Sequence, residues 1–179
     1  MNEFIKSDLV RYGFEPSFQG FLNQYARNKA FRWQVAFRLV NSRGATRLLG
    51  GVLWLFRNRR DFKIGRSTKI GYGLYIGHDG PVVINSTAKI GNNVNLSQFT
   101  TIGSNEGKAA SIGDNVYIGP GVCIVEDVTI GSNVTIGAGS VVTKDIPENA
   151  TSAGNYAKVL NFDNPGRFVT HRWMEKSLD

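Results

Sequence analysis

The sequence predicts a mainly β fold, a parallel β-helix with an α-helical segment in front of it. From residue 64 onward, an aliphatic residue that is usually followed by Gly returns every six residues. Gly, Asn and Asp lie between these aliphatic residues, and they readily adopt the positive φ angles of tight corners. The residues before the repeat instead carry apolar faces at helical spacing.

The repeat consists of thirteen hexads that run from Ile64 to Pro147, with two interruptions. Two extra residues, Val82 and Val83, follow the third hexad, and four extra residues, 108–111, follow the seventh. A six-residue period fits neither a helix nor simple strand alternation. Three hexads are expected to close one triangular coil, and stacked coils form a parallel β-helix in which each repeat buries its apolar face on its neighbours.

We predict three parts of the chain. Residues 1–61 form an N-terminal helical segment, residues 62–160 form the β-helix, and residues 161–179 form a C-terminal tail. Within the first part, residues 16–44 are predicted as one helix that Pro-Ser opens and Gly44 closes, and residues 45–61 as a second.

Composition fits one core in a chain of 179 residues, of which 41% are hydrophobic. The sequence contains no run of eighteen apolar residues, so no segment is expected to span a membrane. The first residues lack the charged start and apolar stretch of a signal peptide, so we expect a cytoplasmic location. Cys123, the single cysteine, is expected to be a buried, unreactive thiol.

Positive charge is concentrated at the N-terminus. Residues 1–63 contain twelve Lys or Arg against four acidic residues, whereas the remainder is close to balanced. This excess is either a solvated face beside a packed one or a cationic surface that lies on the anionic inner face of the cytoplasmic membrane. No nucleic-acid-binding module is recognisable, so no nucleic acid partner is expected. The basic residues concerned are Arg27, Lys29, Arg32, Arg38, Arg57, Arg59 and Arg60.

Four segments carry a resemblance to a known family: SDLVRYG near the N-terminus, then KIGYGLYIGHDGPVVIN, IGDNVYIGPGVCI and IGAGSVVTKDIPENATSAGNYAKVL. Residues 62–160 resemble the hexapeptide-repeat acyltransferases, and among them serine acetyltransferase and the related enzymes that O-acetylate bacterial exopolysaccharides. This resemblance implies a left-handed β-helix, acetyl-CoA as the acyl donor, no metal, and a homotrimer.

His78 is the candidate catalytic residue. It lies beside the first interruption of the repeat, where extra residues allow a side chain to project from the coil. The resemblance of GHDGPVVIN to the catalytic segment of the family implies that His78 is the general base, and an imidazole near neutral pH suits that role. We expect both interruptions to border the same region of the prism. His171 has no such context and is expected to be structural or incidental.

The acceptor is expected to be a saccharide hydroxyl, because this chain differs from the serine-specific members of the family. Lys63 stands where they have an aspartate that orients the histidine, and Gly77 stands where they have another aspartate. The loop SNEGKAAS lacks their arginine and histidine. Serine O-acetylation remains the alternative, and a non-catalytic scaffold is an alternative of another class. Asp79, Glu106 of a neighbouring chain, or a backbone carbonyl could orient His78 or bind the acceptor.

The resemblance also implies where the donor binds. The pantetheine arm is expected to lie along the outside of the coils near a chain interface, on the backbone of small residues, with lysines at the phosphates. A zinc site with three histidine ligands is excluded because the chain has only two histidines. The predicted cofactor-binding residues are Gly103, Ser104, Gly119, Pro120, Ala138, Gly139, Lys144 and Lys158.

Overall fold

The computed structural model describes residues 1–57 and 60–174. Within these residues four helices precede fifteen short strands. The helices are α1 (Glu3–Arg11), α2 (Phe18–Arg27), α3 (Lys29–Val40) and α4 (Thr46–Leu55). The strands are β1 (Phe62–Ile64), β2 (Lys69–Ile70), β3 (Tyr75–Ile76), β4 (Val82–Ile84), β5 (Lys89–Ile90), β6 (Asn95–Leu96), β7 (Thr101–Gly103), β8 (Ser111–Ile112), β9 (Tyr117–Ile118), β10 (Cys123–Val125), β11 (Thr129–Ile130), β12 (Thr135–Ile136), β13 (Val141–Val142), β14 (Thr151–Ala153) and β15 (Lys158–Asn161).

The strands form three parallel sheets, one on each side of a triangular coil, so the predicted parallel β-helix is confirmed. Sheet 1 holds β1, β4, β7, β10 and β13, and sheet 2 holds β2, β5, β8 and β11. Sheet 3 holds β3, β6, β9, β12 and β14, and β15 joins its edge antiparallel to β14.

The core follows the predicted six-residue period. The first residue of each of the thirteen hexads is buried, with at most 9% of its surface exposed. In sheet 1, for example, Ile64 pairs with Ile84 and Ile84 with Ile102, so the aliphatic side chains form columns along the axis. Burying one such side chain stabilises the fold by about 2 kcal/mol.

Asparagines stack at the corner between sheets 2 and 3. Asn93, Asn115, Asn133 and Asn149 each occupy this corner in successive coils with φ between 54° and 64°. The side-chain amide of Asn115 donates to Asn133 Oδ1 at 3.0 Å, and the side-chain amide of Asn133 donates to Asn149 Oδ1 at 3.0 Å. Asparagine tolerates the left-handed region because its side chain can hydrogen-bond locally.

Side chains from α1 and α3 satisfy the free edge of the first coil. A β-helix must end with unpaired backbone groups, which are costly when buried. Gln34 donates to the carbonyl of Leu74 at 2.7 Å, and Ser7 and Asp8 accept from the amides of Gly73 and Leu74. The arginine donors and their carbonyl acceptors are Arg38 to Ile70 and Gly71, and Arg11 to Gly73.

Arg38 is therefore part of the core. It belongs neither to a solvated face nor to a cationic surface that lies on a membrane, so both predictions were wrong for this residue. It is 5% exposed and forms a two-point ion pair with Asp8, at 2.8 and 2.9 Å. Burial raises the pKa of Asp8, and the adjacent Arg38 opposes this shift. Arg59, which was part of the same set, lies outside the described residues.

The helical segment differs from its prediction. The single helix expected over residues 16–44 is divided into α2 and α3 at Asn28, which has an extended backbone. The Asn28 side chain accepts the amide of Phe31 at 2.9 Å and caps α3. Helix α3 ends at Val40, before Gly44, and α4 covers only part of the predicted second helix. Helix α1 lies within the predicted helical segment, although no separate helix was predicted there.

The residues after β15 cross the outer side of sheet 3. The amide of Gly166 donates to the Asn133 carbonyl at 2.6 Å, and the amide of Trp173 donates to Asn93 Oδ1 at 2.8 Å. His171 lies in this segment, exposed, with its ring against Gly13.

Cys123 is half-buried, which corrects the expected buried thiol. Strand alternation turns Ile124 into the core and Cys123 to the outer side of sheet 1.

Among the described helices, none combines the length and the hydropathy that a bilayer crossing requires.

Candidate active site

His78 lies in a bend, residues 77–81, that carries the chain from β3 in sheet 3 to β4 in sheet 1. Gly80 holds the bend close to the next coil, since a Cβ there would lie 2.8 Å from Gln98 Cβ. The Pro81 carbonyl accepts the amide of Phe99 at 2.7 Å. The bend is therefore anchored, while the His78 side chain is exposed at the corner.

The junction of α2 and α3 faces this bend. Residues 27–30 and residues 76–79 line a cavity of about 260 Å³ between them. Lys29 Nζ lies 3.7 Å from Asp79 Oδ2, and both side chains are more than half exposed. Arg27 lines the same cavity. The site therefore combines an imidazole, two cations and a carboxylate.

Neither predicted carboxylate orients His78 within the described part of one chain. Asp79 pairs with Lys29, and Glu106 lies in the loop after β7, at the corner between sheets 1 and 2. His78 makes no hydrogen bond or ion pair to the described residues. Lys63, in β1, is exposed and pairs with Val83 through the backbone ladder.

The two interruptions of the repeat lie at different corners, which corrects the expectation that they border one region of the prism. The first, Val82 and Val83, begins β4 directly after the His78 bend between sheets 3 and 1, and the second, residues 108–111, lies where the chain passes from sheet 1 to sheet 2. They lie at opposite ends of the strands of sheet 1. A second copy of the chain would be needed to bring two such ends together.

Glu126 holds the loop after β7 in place. Its carboxylate accepts from Ser104 Oγ at 2.6 Å and from the amides of Asn105 and Glu106 at 3.1 and 3.2 Å. The hydrogen bond from Ser104, followed by that from the Asn105 amide, lowers the pKa of Glu126. The sequence analysis missed Glu126. Its backbone has φ of 61°, which is uncommon for a residue that is not glycine.

The predicted donor-binding residues divide between two corners. Gly119 and Pro120 follow β9, and Ala138 and Gly139 follow β12, so they lie at the His78 corner in higher coils. The Gly139 amide donates to the Pro120 carbonyl at 2.8 Å, which joins these coils.

The remaining donor-binding candidates lie elsewhere. Gly103 ends β7, Ser104 follows it, and Lys144 follows β13, so these three lie where the chain leaves sheet 1 toward sheet 2. Lys158 begins the edge strand β15. Both lysines are exposed. The structure thus places one subset at the His78 corner, in later coils, and the second subset away from that corner within one chain.

Arg27 and Lys29 are site residues that the sequence analysis assigned to a surface. They line the same cavity as His78 because the helix is interrupted at Asn28, so that α3 begins next to the bend. Asn28 was the available signal, since asparagine is a preferred N-cap residue.

The chain matches known proteins in sequence and in structure. Residues 109–144 match the family described as bacterial transferase hexapeptide (six repeats). Over 110 residues it is 44% identical to serine acetyltransferase 3, mitochondrial, of Arabidopsis thaliana, covering 59% of this chain and 28% of that protein. The chain thus spans less than a third of the length of that relative.

Two solved structures are similar over most of this chain. The crystal structure of Neisseria gonorrhoeae serine acetyltransferase in complex with serine is 31% identical, with a TM-score of 0.67, over 87% of this chain and 67% of that chain. Soybean serine acetyltransferase complexed with serine is 30% identical, with a TM-score of 0.68, over 88% of this chain and 68% of that chain. The chain therefore belongs to the hexapeptide-repeat acyltransferases, in the branch of the serine acetyltransferases.

Proposed function

We propose that this chain is an acetyl-CoA-dependent O-acetyltransferase and that its acceptor is serine. The observation that carries the proposal is the set of charges around His78. A pocket for an amino acid needs a cation for the carboxylate and an anion for the ammonium group. Arg27 and Lys29 supply the first, and Asp79 supplies the second.

This arrangement removes the main argument for a saccharide acceptor. That argument was that the loop SNEGKAAS lacks the arginine and the histidine of the serine-specific members, and the loop, although it contains Glu106 and Lys108, does lack both. The helical segment provides charged groups for serine instead, at the α2–α3 junction. The relatives described above carry the name serine acetyltransferase, and two were solved with serine bound.

The site suits direct transfer. His78 takes the proton of the serine hydroxyl as its oxygen attacks the thioester carbonyl. The carbon–sulfur bond then breaks, CoA leaves as the thiolate, and the proton passes from His78 to sulfur. The products are O-acetylserine and CoA, and no covalent enzyme intermediate is formed. Backbone amides at the His78 corner are suited to stabilise the oxyanion.

Bound serine would replace the ion pair between Lys29 and Asp79. That pair is long, at 3.7 Å, and exposed, so separating it costs little. The serine carboxylate would then face Lys29 and Arg27, and its ammonium group would face Asp79. The hydroxyl would be left toward His78.

A saccharide hydroxyl remains the second candidate. The cavity of about 260 Å³ is open to larger hydroxyl compounds, and its charged residues are exposed. Polar, solvated walls are compatible with a sugar as well as an amino acid. Serine is favoured because a neutral sugar would use none of the three charges.

The test compares acceptors by CoA release. Serine is expected to be acetylated with a higher kcat/KM than free or lipid-linked saccharides, and ethanolamine, which lacks the carboxylate, should be poorer. In Lys29→Gln and Arg27→Gln, kcat/KM for serine should fall about tenfold or more, because a hydrogen bond between charged groups is lost. The value for ethanolamine should not fall, because this acceptor has no carboxylate for the cations to bind.

Three outcomes would contradict the proposal. An equal loss for serine and ethanolamine would show that the cations do not bind the carboxylate. A saccharide that outperforms serine would establish the second candidate. Lys89→Gln, an exposed lysine of sheet 2, serves as the control for charge removal. CoA binding without release to any acceptor would indicate a non-catalytic scaffold.

A further inference from the structure

Helix α4 exposes a large apolar face. With 3.6 residues per turn, five side chains of the α4 region fall within about 120° of arc. Each is more than half exposed. Isolated apolar residues are common on protein surfaces, but a contiguous exposed patch such as this one indicates an interaction surface. The side chains and their exposed fractions are Leu48 77%, Leu49 56%, Val52 53%, Leu55 65% and Phe56 83%.

The packing of α4 fixes the direction of this face. Gly50 lies against the backbone of Leu39 and Val40, where a Cβ would clash. Trp54 packs against the rings of Trp33 and Phe37. Because these contacts pack one side of α4 against α3, the apolar residues on the opposite side of α4 point outward. No other described part of the chain covers them.

The surroundings of this face are cationic. Residues 41–60 contain five arginines and no acidic residue. Arg43 and Arg47 are exposed at the beginning of α4. Elsewhere in the helical segment, Arg11 and Arg38 are buried and satisfied by the first coil. Arg43 and Arg47 therefore place exposed positive charge beside the apolar face.

We propose that the α4 face docks on an anionic lipid surface. An apolar face bordered by arginines is the pattern of interfacial helices, and each basic residue near such a surface adds about 1 kcal/mol of attraction. A second copy of this chain is a poorer occupant because two arginine borders would repel each other. The ten residues of α4 span about 15 Å, half of a bilayer core, so the helix lies on the surface rather than across it.

The apolar contribution is tested with Leu48→Gln/Leu55→Gln. Binding of the full chain is measured by co-sedimentation with phosphatidylcholine vesicles that contain phosphatidylserine, and with phosphatidylcholine alone. The parent should bind the anionic vesicles, and the double variant should lose that binding. Both positions are exposed and glutamine is a good helix former, so the fold is retained. Leu160→Gln/Phe162→Gln, with exposures of 61% and 53%, is the matched control and should bind like the parent.

The charge contribution is tested with Arg43→Ser/Arg47→Ser at low salt. Binding should weaken about thirtyfold, since two arginines each contribute about 1 kcal/mol. Lys69→Ser/Lys89→Ser removes the same charge from sheet 2 and should have little effect. An equal loss in both variants would show that only net charge matters, and the proposal would fail.

Three further results would overturn the lipid proposal. The first is no binding to anionic vesicles at low salt, where attraction is greatest. The second is undiminished binding by the leucine variant. The third is a smaller assembly for that variant in sedimentation velocity, which would assign the face to contacts between copies. Acetyl transfer in solution is a separate readout, so failure here leaves the proposed function untouched.

Discussion

Asp8 and Arg38 show how one ion pair can join two parts of the fold. Both are nearly inaccessible to solvent, and each also bonds the backbone of the first coil. A buried charge that loses its partner is far more costly than an exposed one. The pair therefore makes packing of α1 and α3 on the β-helix specific, because any displacement would leave a charge buried alone.

Asp8→Asn should destabilise the chain by about 3–5 kcal/mol, because Arg38 keeps its charge without a carboxylate. Urea denaturation followed by circular dichroism measures the change. Glu3→Gln is the control on the same helix. It breaks the exposed pair with Lys6 and should cost less than about 1 kcal/mol. Equal effects of the two substitutions would contradict the buried role of Asp8.

Glu126 makes the loop after β7 sensitive to pH. Its pKa is lowered by hydrogen bonds from Ser104 and from the amides of Asn105 and Glu106, so its ionised form is favoured in the fold. This stabilisation is present above the ordinary pKa of 4.5 and is lost as the pH falls through the lower value in the folded chain.

The amides of Asn105 and Glu106 should therefore shift in NMR spectra as the pH is lowered below about 4.5. Glu126→Gln should give similar shifts at neutral pH, because a neutral amide is a weaker acceptor than a carboxylate. Asp127→Asn, at the exposed neighbouring position, should leave them in place. Unchanged amides in Glu126→Gln would show that the charge does not hold the loop.

His78 could be proposed as a candidate from the sequence, because the interrupted period and the segment GHDGPVVIN mark it locally. Lys29 and Glu126 could not, because their partners lie 50 and about 20 residues away and depend on how the chain packs. A residue whose partner is set by tertiary contacts leaves no periodic signal. The charges that favour serine over a saccharide belong to this second class.

At the scale of elements, the coils were predictable and the helices less so. Each hexad repeats the same apolar position and the same corner, so many weak signals agree on one structure. Only one residue, Asn28, separates α2 from α3, and the apolar pattern continues across it. The position of the break depends on a cap and on the contact with the His78 bend, neither of which affects hydropathy.

The asparagine ladder combines a backbone and a side-chain contribution that two variants can separate. Asn133→Gly keeps the left-handed conformation but loses two side-chain hydrogen bonds, whereas Asn133→Ala also introduces strain. Alanine should therefore be the more destabilising, by about 1 kcal/mol. Thermal unfolding of the two variants measures the difference.

Gly139→Ala isolates the strain. Gly139 has φ of 67°, and a Cβ there would meet no atom within 4 Å. We expect it to cost about 1 kcal/mol without any lost side-chain contact. If Asn133→Ala and Asn133→Gly were equally stable, side-chain bonding alone would account for the ladder.

At the scale of the whole molecule, the positions of two segments at sheet 1 indicate a site that is shared between chains. In one chain, the His78 bend and the loop held by Glu126 lie at opposite ends of the strands of this sheet. Its outer side carries one column of five side chains, of which only the first is charged: Lys63, Val83, Thr101, Cys123 and Val141. Such a face can pack on a copy of itself around a rotation axis, which would bring the loop of one chain to the bend of the next.

We therefore predict a trimer whose sites each use two chains, and complementation tests it. His78→Ala should lower kcat about a hundredfold or more while CoA still binds, because the general base is lost. Glu126→Lys should release the loop and also lower activity, although its own His78 is intact. In equal mixtures of the two variants, refolded together, about one quarter of the sites would join an intact bend to an intact loop, and activity should recover to about that fraction. Sedimentation should show trimers for both variants and for the mixture. An active monomer, or a mixture no more active than its components, would place the complete site within one chain.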